Sequence, residues 1–337
     1  MNPPILAVTM GDPGGAGPEV TVKALQKLKH NLQARIVVTG GMAVFEALKA
    51  KLKIPFKINP VPSYEAAARR PAGIYFLDAA LAAERLLPGV SRLPRTPVDI
   101  GRATKRNAVL AWAALELAAK AAARGSVQAI VTAPVNKTAM RLVRKDFHGH
   151  TEYLAETSKS RSFAMMFVSD RLKVTLATIH VPLAKVASII KPALVDEKIR
   201  LTDQFLKSRF KIKRPRIAVC ALNPHGKETG TEDERLIRPG VNRARAAGVN
   251  AEGPLSADQL FHDAYEGRFD AVIAMYHDQG LAPFKMIAFR DGVNVTLGLP
   301  YVRTSPDHGT AYDIAWQGKA DPASMLSALN LALKLTL

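Results

Sequence analysis

The chain has 337 residues, of which 48% are hydrophobic and 23% are charged. This ordinary globular composition excludes a disordered, collagen-like or disulfide-stapled protein and allows about two domains. Lys and Arg number 47 against 29 Asp and Glu, a formal net charge of +18. The cationic residues are scattered, without the aromatic spacing of an RNA-binding sheet or the spacing of a zinc finger, so we interpret them mainly as solvated surface.

The start of the chain lacks the basic region and apolar core of a signal peptide, and no run of 18 apolar residues occurs. Cys220 is the single cysteine, so the chain can form no internal disulfide. It lies in an apolar run, and we interpret it as a residue that packs in the core. These features predict a cytoplasmic protein, and we expect neither a membrane nor a nucleic acid as its partner.

Short β-branched runs alternate with longer segments rich in Ala, Leu and Lys, a pattern typical of a parallel sheet covered by helices. The predicted strands span 5–9, 35–39, 129–132, 173–178, 216–221 and 271–275. The predicted helices span 18–28, 104–124, 197–209, 239–247 and 322–335. Residues 54–97 are rich in proline and are predicted to form a meandering insertion. The fold class that follows is α/β.

Three histidines each follow a predicted strand: His180, His225 and His277. Ligands bind beyond the carboxyl ends of the strands in an open α/β sheet, so these imidazoles are expected to converge. Three imidazoles with open positions suit zinc and other divalent ions. The alternative is that each histidine is only a hydrogen-bonding loop residue. Asp278 could orient His277 or take a proton, and its alternative role is that of a turn residue.

Two further segments have groups that could bind an anion. His150 and Thr151 precede a helix predicted to begin near Glu152, where a phosphate or carboxylate could bind, although Thr151 could equally be a plain helix N-cap. His148 lies two residues before His150, and it is the more dispensable of the two because binding an anion here needs only one imidazole. A later stretch places Lys285, Asn294 and Arg303 among glycines and turn residues, and these side chains could hold carboxylate or phosphate. The alternative is an ordinary charged surface.

The glycine-rich loop at residues 9–19 follows the first predicted strand and could expose backbone N–H groups to an anion or cofactor. It does not match the G-x-G-x-x-G fingerprint, and it lacks the ending of a P-loop. The sequence therefore supports neither a Rossmann site nor a nucleotide triphosphatase.

Several of these motifs occur together in one known family. They are Met10-Gly11-Asp12-Pro13, Gly17-Pro18-Glu19, Thr132-Ala133-Pro134-Val135-Asn136-Lys137, Gly149-His150-Thr151-Glu152, Leu222-Asn223-Pro224-His225, Met275-Tyr276-His277-Asp278-Gln279-Gly280, and the run from Asn294 through Pro300 and Arg303 to Thr310. Over essentially its whole length the chain resembles the 4-hydroxythreonine-4-phosphate dehydrogenase family of pyridoxal phosphate biosynthesis. The resemblance implies the fold of isocitrate and isopropylmalate dehydrogenases, with two α/β domains around a central cleft, and not a Rossmann fold.

The resemblance also implies how the chain is organised. The first domain would comprise residues 1–130 and 292–337, and the second, residues 131–291, would carry the metal site and the dimer contacts. The protein would be a homodimer with its active site at the subunit interface. A divalent metal, zinc, magnesium or cobalt, would be bound by His180, His225 and His277 drawn from both subunits.

The implied reaction uses NAD or NADP to oxidise and decarboxylate 4-phosphohydroxy-L-threonine to 3-amino-2-oxopropyl phosphate and CO₂, a step in pyridoxine 5'-phosphate biosynthesis. The residues at the family's substrate-contacting positions are His150, Thr151, Lys285, Asn294 and Arg303. A base must collect the hydroxyl proton, and the candidates are Lys285 or Asp278, with Asp258 after them.

Two departures from the family pattern leave alternatives open. Residues 226–232 differ from the usual Ala-Gly-Glu-Gly-Gly segment, and residues 94–101 lack an expected Gly-Lys. A related dehydrogenase acting on D-threonate or D-erythronate 4-phosphate is one alternative. A nucleic-acid-binding protein that uses the positive charge and a catalytically inactive sugar-phosphate binder are the others.

Overall fold

The computed structural model describes residues 2–28, 32–80, 98–225 and 228–337. They form two compact units, unit 1 from Met1–Ser160 and Leu299–Leu337 and unit 2 from Arg161–Gly298. Strands and helices alternate in both units, which confirms the α/β fold class. No helix within the described ranges is long and apolar enough to cross a membrane.

Unit 1 is built on a parallel sheet. Its strands are β1 (Ile5–Thr9), β2 (Arg35–Gly40), β3 (Asn59–Pro60), β4 (Gly73–Asp78), β5 (Ala129–Thr132) and, near the end of the chain, β12 (Val302–Pro306). Their order across the sheet is β3-β4-β2-β1-β5-β12, with every pair parallel. The helices are α1 (Gly17–Lys27), α2 (Met42–Leu52), α3 (Tyr64–Ala67), α4 (Lys105–Ala123), α5 (Lys137–Arg141), α6 (His150–Thr157) and α12 (Ala323–Thr336).

Unit 2 has a mixed sheet. Its strands are β6 (Ala164–Val168), β7 (Lys173–Leu176), β8 (Ile217–Cys220), β9 (Ala251–Leu255), β10 (Ala271–Ala274) and β11 (Val293–Leu297). They run in the order β11-β6-β7-β10-β8-β9, and β6 is antiparallel to both of its neighbours. The helices are α7 (Leu183–Ile189), α8 (Pro192–Ser208), α9 (Arg238–Ala246), α10 (Ala257–Tyr265) and α11 (His277–Ala288), and a π-helix (Asp233–Ile237) precedes α9.

The longest helix of unit 1, α4, shows why the sequence pattern succeeds. Thr104 accepts a hydrogen bond from the Asn107 N–H and so caps the first turn. Its apolar residues Val109, Trp112 and Leu115 are buried. Trp112 packs on Phe147 and Tyr153, and the ring centroids are 6.1 and 4.7 Å apart. The predicted strands and helices all occur in the structure, mostly within one or two residues, although α8 begins five residues before the predicted start.

The units differ from the predicted domain boundaries. Residues 131–160 lie with unit 1 because Phe147, Tyr153 and Leu154 share a hydrophobic core with Trp112 of α4. Residues 292–298 lie with unit 2 because β11 pairs with β6. Hydrophobic contacts and strand pairing between distant segments therefore place both boundaries, and a single sequence does not display either.

Two segments predicted to be irregular are regular in part. Within 54–97, β4 pairs with both β2 and β3, and its Tyr75 and Leu77 are buried, so this part belongs to the sheet and the prediction of an insertion is wrong for it. Residues 81–97 lie outside the described ranges. The turn-rich stretch after Lys285 contains β11 and β12. Cys220 is fully buried in the core of unit 2, which confirms its packing role.

Candidate active site

Two of the three predicted metal ligands lie close together at strand ends in unit 2. Pairing between β7 and β10 continues past both strands, since the Ala177 N–H donates to the Ala274 carbonyl at 2.8 Å and the Thr178 hydroxyl to the Met275 carbonyl at 2.7 Å. His180 and His277 follow these residues, and their ring centroids are 5.8 Å apart. The parallel neighbours thus bring the two imidazoles together, as predicted from their positions.

Asp278 is placed to orient one of these rings. His277 is the first residue of α11, and its Nδ1 lies 2.7 Å from Oδ1 of Asp278. A proton on Nδ1 would be donated to this carboxylate, which leaves Nε2 with its lone pair facing away. Such a carboxylate–imidazole pair is typical of metal-binding histidines, and Asp278 itself is 86% exposed.

The third predicted ligand, His225, follows the strand next to the one that leads to His277. It is exposed in the turn after β8 and has a positive φ of 56°. Among the residues whose positions are described, no three His, Cys, Asp or Glu side chains are grouped closely enough to hold one ion. The structure therefore places His180 and His277 close together, and it places His225 in an exposed turn after the strand that pairs with β10.

A buried arginine forms the centre of a polar cluster in unit 1. Arg303 on β12 is only 4% exposed. Its Nη2 donates to the Thr132 hydroxyl at 2.8 Å, and its Nη1 lies 3.5 Å from the Thr151 hydroxyl. Burial lowers the pKa of Arg303 to about 10, so the guanidinium remains charged at neutral pH. Thr132 was not predicted, although its place at the carboxyl end of β5 was the available signal.

His150 lies beside this arginine in a neutral state. Burial, reinforced by the positive charges of Arg303 and Lys137, lowers the pKa of His150 to about 3. Its Nε2 is buried and has no hydrogen-bond partner in the structure. Gly149 is the N-cap of α6, so the alternative in which Thr151 caps the helix is wrong, and both His150 and Thr151 belong to the first turn.

The remaining predicted site residues lie in unit 2. Lys285 follows Asp278 by seven residues on α11, so the two side chains share a helix face about 10 Å apart along the axis. Its Nζ lies 6.0 Å from the centre of the Phe289 ring. Asn294 on β11 has a buried Oδ1 without a hydrogen-bond partner. Asp258 is exposed in the first turn of α10.

The glycine-rich loop uses its backbone donors internally. The N–H groups of Asp12 and Gly14 donate to the Pro134 carbonyl and to the Asp12 carboxylate, both at 2.9 Å. Those of Gly15 and Ala16 donate to the carbonyls of Asp12 and Thr310. The expectation that this loop offers these N–H groups to an anion is therefore wrong, because Asp12 of the loop itself and the carbonyls of Pro134 and Thr310 already accept them.

Proteins of known sequence or structure resemble this chain over nearly its whole length. It is 42% identical to the 4-hydroxythreonine-4-phosphate dehydrogenase of Desulforapulum autotrophicum, over 98% of this chain and 95% of that protein. It is 41% identical to the D-threonate 4-phosphate dehydrogenase of Salmonella typhimurium, over 99% and 100%. The crystal structure of 4-hydroxythreonine-4-phosphate dehydrogenase from Klebsiella pneumoniae matches with a TM-score of 0.85 at 36% identity, covering 99% of this chain and 100% of that one.

The fold and these relatives define the class: the chain is a dehydrogenase with a two-unit α/β fold. A narrower assignment follows from the family model described as Pyridoxal phosphate biosynthetic protein PdxA, which matches residues 32–332. The chain belongs to this family, which confirms the resemblance carried by its motifs.

Proposed function

We propose that the chain is a divalent-metal-dependent, NAD- or NADP-linked enzyme that oxidises and decarboxylates 4-phosphohydroxy-L-threonine. The products would be 3-amino-2-oxopropyl phosphate and CO₂, used in the formation of pyridoxine 5'-phosphate. The observation that carries this proposal is the His180–His277 pair, 5.8 Å between ring centroids, in a chain 42% identical to a 4-hydroxythreonine-4-phosphate dehydrogenase.

The donor atoms near the strand ends fit a metal ion. Imidazole nitrogens suit zinc or cobalt better than magnesium, which prefers oxygen ligands. His180 and His277 of one chain would supply two ligands, and His225 would come from a second copy, in the homodimer that the family resemblance implies. This division agrees with the absence of a three-ligand group within the described residues of one chain. When bound, the ion would act as a Lewis acid at the reacting hydroxyl and ketone oxygen.

The polar cluster of unit 1 supports recognition of a doubly anionic substrate. Arg303 is a buried cation flanked by the hydroxyls of Thr132 and Thr151, and a planar guanidinium matches phosphate or carboxylate oxygens. Neutral His150 offers a buried ring nitrogen beside it. Lys285 and Asn294 of unit 2 are the further substrate-binding residues of the proposal.

Oxidation of the substrate's secondary alcohol would release a proton from the hydroxyl, and bound NAD or NADP would supply the hydride acceptor. Asp278 is bonded to His277, so we assign it to orienting that imidazole and assign proton removal to Lys285. The carboxylate β to the new ketone would then leave as CO₂, and a proton would take its place, which converts the amino-bearing CH carbon to the CH₂ of the product.

A second substrate deserves equal testing, because the D-threonate 4-phosphate dehydrogenase of Salmonella typhimurium is 41% identical to this chain. D-threonate 4-phosphate has a hydroxyl where 4-phosphohydroxy-L-threonine has an ammonium group. Both compounds have the phosphate and carboxylate that the cluster around Arg303 suits.

The test is reduction of NAD and of NADP with 4-phosphohydroxy-L-threonine, D-threonate 4-phosphate and D-erythronate 4-phosphate, each with and without added Zn²⁺ or Co²⁺. We expect metal-dependent turnover, with a higher kcat/KM for 4-phosphohydroxy-L-threonine than for the other two compounds. We also expect the Lys285→Met variant to lose most of its kcat. Higher kcat/KM with D-threonate or D-erythronate 4-phosphate would move the assignment to that substrate. Equal turnover after metal removal would contradict the metal-dependent mechanism.

A further inference from the structure

The turn that leads to His225 is held by a buried carboxylate. Asp233, the first residue of the π-helix, is fully buried. Its Oδ1 accepts the Leu222 N–H at 2.6 Å, and its Oδ2 accepts the backbone and side-chain N–H groups of Asn223 at 3.3 and 3.1 Å. One carboxylate thus fixes two consecutive residues that end two positions before His225.

The same turn is held from its other side by a side-chain amide. Gln279 lies in the first turn of α11, two residues after His277. Its Nε2 donates to the Ala221 carbonyl at 2.7 Å, and its Oε1 accepts the Met275 N–H at 2.7 Å. The amide therefore links the end of β8 to the end of β10, the strands that lead to His225 and His277.

These bonds add to two others in the same turn, from the Glu228 N–H to the His225 carbonyl at 3.4 Å and from the Thr229 hydroxyl to the Pro224 carbonyl. His225 is exposed, and its φ of 56° lies in the left-handed region, which non-glycine residues adopt uncommonly. A metal ligand must be held to within about 0.5 Å to bind well. Hydrogen bonds behind a ligand residue commonly change metal affinity by about 10- to 100-fold.

We propose that Gln279 and Asp233 are positioning residues that hold His225 ready to bind the divalent ion. Neither side chain would touch the ion or the substrate. The inference rests on the proposed metal-dependent function, and it deepens that function by naming what fixes the most exposed of the three imidazoles.

The test is a titration of the metal-free protein with Co²⁺, followed by the visible absorption of the bound ion. In Gln279→Met the two amide hydrogen bonds are lost at nearly constant volume, and in Asp233→Asn one of the acceptor oxygens is replaced by an NH₂ group. We expect each variant to bind Co²⁺ about 10-fold more weakly or worse. Glu234→Gln is the control, since this half-buried neighbour on the π-helix pairs with Arg238 and should leave the affinity unchanged.

A double-mutant cycle separates positioning from general loosening of unit 2. In a His225→Ala background, Gln279→Met should cause a smaller loss of Co²⁺ affinity than in the wild type, because only its bond to the Met275 N–H, near His277, still affects a ligand. A general loosening of unit 2 would weaken binding equally in both backgrounds. If Gln279→Met does not fold, Gln279→Glu serves, because it keeps the acceptor for the Met275 N–H and loses the donor to Ala221.

The outcomes distinguish the inference from the function beneath it. Wild-type affinity in the folded Gln279 and Asp233 variants, or an undiminished effect of Gln279→Met without His225, would overturn the positioning role and leave the metal-dependent function standing. A wild-type protein that takes up no Co²⁺ at all would overturn both.

Discussion

We expect substrate binding to depend on Arg303 more than on any other residue of the proposed site. Replacement by methionine removes the buried cation and its bonds to Thr132 and Thr151 but keeps much of the apolar stem. Hydrogen bonds to charged groups contribute about 1.5 to 3 kcal/mol, so Arg303→Met should raise KM for the phosphorylated substrate roughly 10- to 100-fold. Steady-state kinetics would show this. The exposed Arg124→Met is the matched control, and an unchanged KM in Arg303→Met would contradict the assignment.

His150 should remain neutral far below the pH at which an ordinary histidine is protonated. Burial and the charges of Arg303 and Lys137 lower the pKa of its imidazole to about 3, whereas in the unfolded chain the pKa is about 6.5. Between these two pKa values, His150 is protonated in the unfolded state and neutral in the folded state. The contribution of His150 to the free energy of unfolding is therefore fully present above about pH 6.5 and is lost as the pH falls toward 3.

An NMR titration of the imidazole C–H signals measures this directly, with His150→Gln identifying the signal. We expect the His150 signal to keep its neutral position down to about pH 4. The variant should also lose less unfolding free energy than the wild type between pH 6.5 and 4.5. A signal that titrates near pH 6 would show that the ring is hydrated in solution.

At the scale of single residues, the sequence identified side chains by type and position but not by partner. His180 and His277 lie close together because β7 and β10 are neighbours in the sheet. The sequence shows only that each histidine follows a strand, and it does not show which strands are neighbours. That Thr132 contacts Arg303 depends on β5 and β12 being neighbours across a sequence gap of 171 residues. That Asp233 and Gln279 fix the turn before His225 requires the loop to be seen folded.

Helix α11 is the element that sets the position of His277, and Gly280 allows it to lie close to the sheet. A Cβ at Gly280 would lie 2.7 Å from Cδ2 of Leu176 and 3.0 Å from Cβ of Ala274. The leucine end can rotate, but the alanine methyl cannot. Although Ala favours a helix by up to about 1 kcal/mol over Gly, overpacking costs about 1 to 3 kcal/mol, so we expect Gly280→Ala to destabilise unit 2.

Urea unfolding followed by circular dichroism would measure the change. Gly309→Ala is the matched control, since a Cβ there has no neighbour within 4 Å, and its unfolding free energy should stay within about 0.5 kcal/mol of the wild type. A Gly280→Ala protein more stable than the wild type would show that α11 has room to move away from the strands.

Two of the elements that the sequence did not predict, β12 and α11, have chemical or packing reasons to depart from an apolar pattern. Strand β12 includes the polar residues Arg303, Thr304 and Ser305, all buried, so it does not resemble an apolar strand. Helix α11 contains Gly280 and Pro283, both poor helix formers. By contrast, α4 was predicted, and its buried Val109, Trp112 and Leu115 keep a helical spacing.

For the whole molecule, the sequence predicted two α/β domains but placed their boundaries differently. The chain returns to unit 1 after Gly298, and this crossing is visible only when β11 is seen paired with β6 and β12 with β5. Similarly, three imidazoles in one sequence do not reveal whether they belong to one chain or to two. The division proposed here, His180 and His277 from one copy and His225 from the other, is the central claim about the assembled enzyme.

Mixed dimers test that claim most directly. His225→Ala and His277→Ala homodimers should each lack a complete metal site and have little activity. Unfolded together and refolded as mixed dimers, isolated by two different affinity tags, they should regain one complete site, with about one tightly bound Co²⁺ per dimer and up to half the wild-type turnover. Mixed dimers as inactive and as poor in Co²⁺ as their parents would contradict a site shared between the two copies.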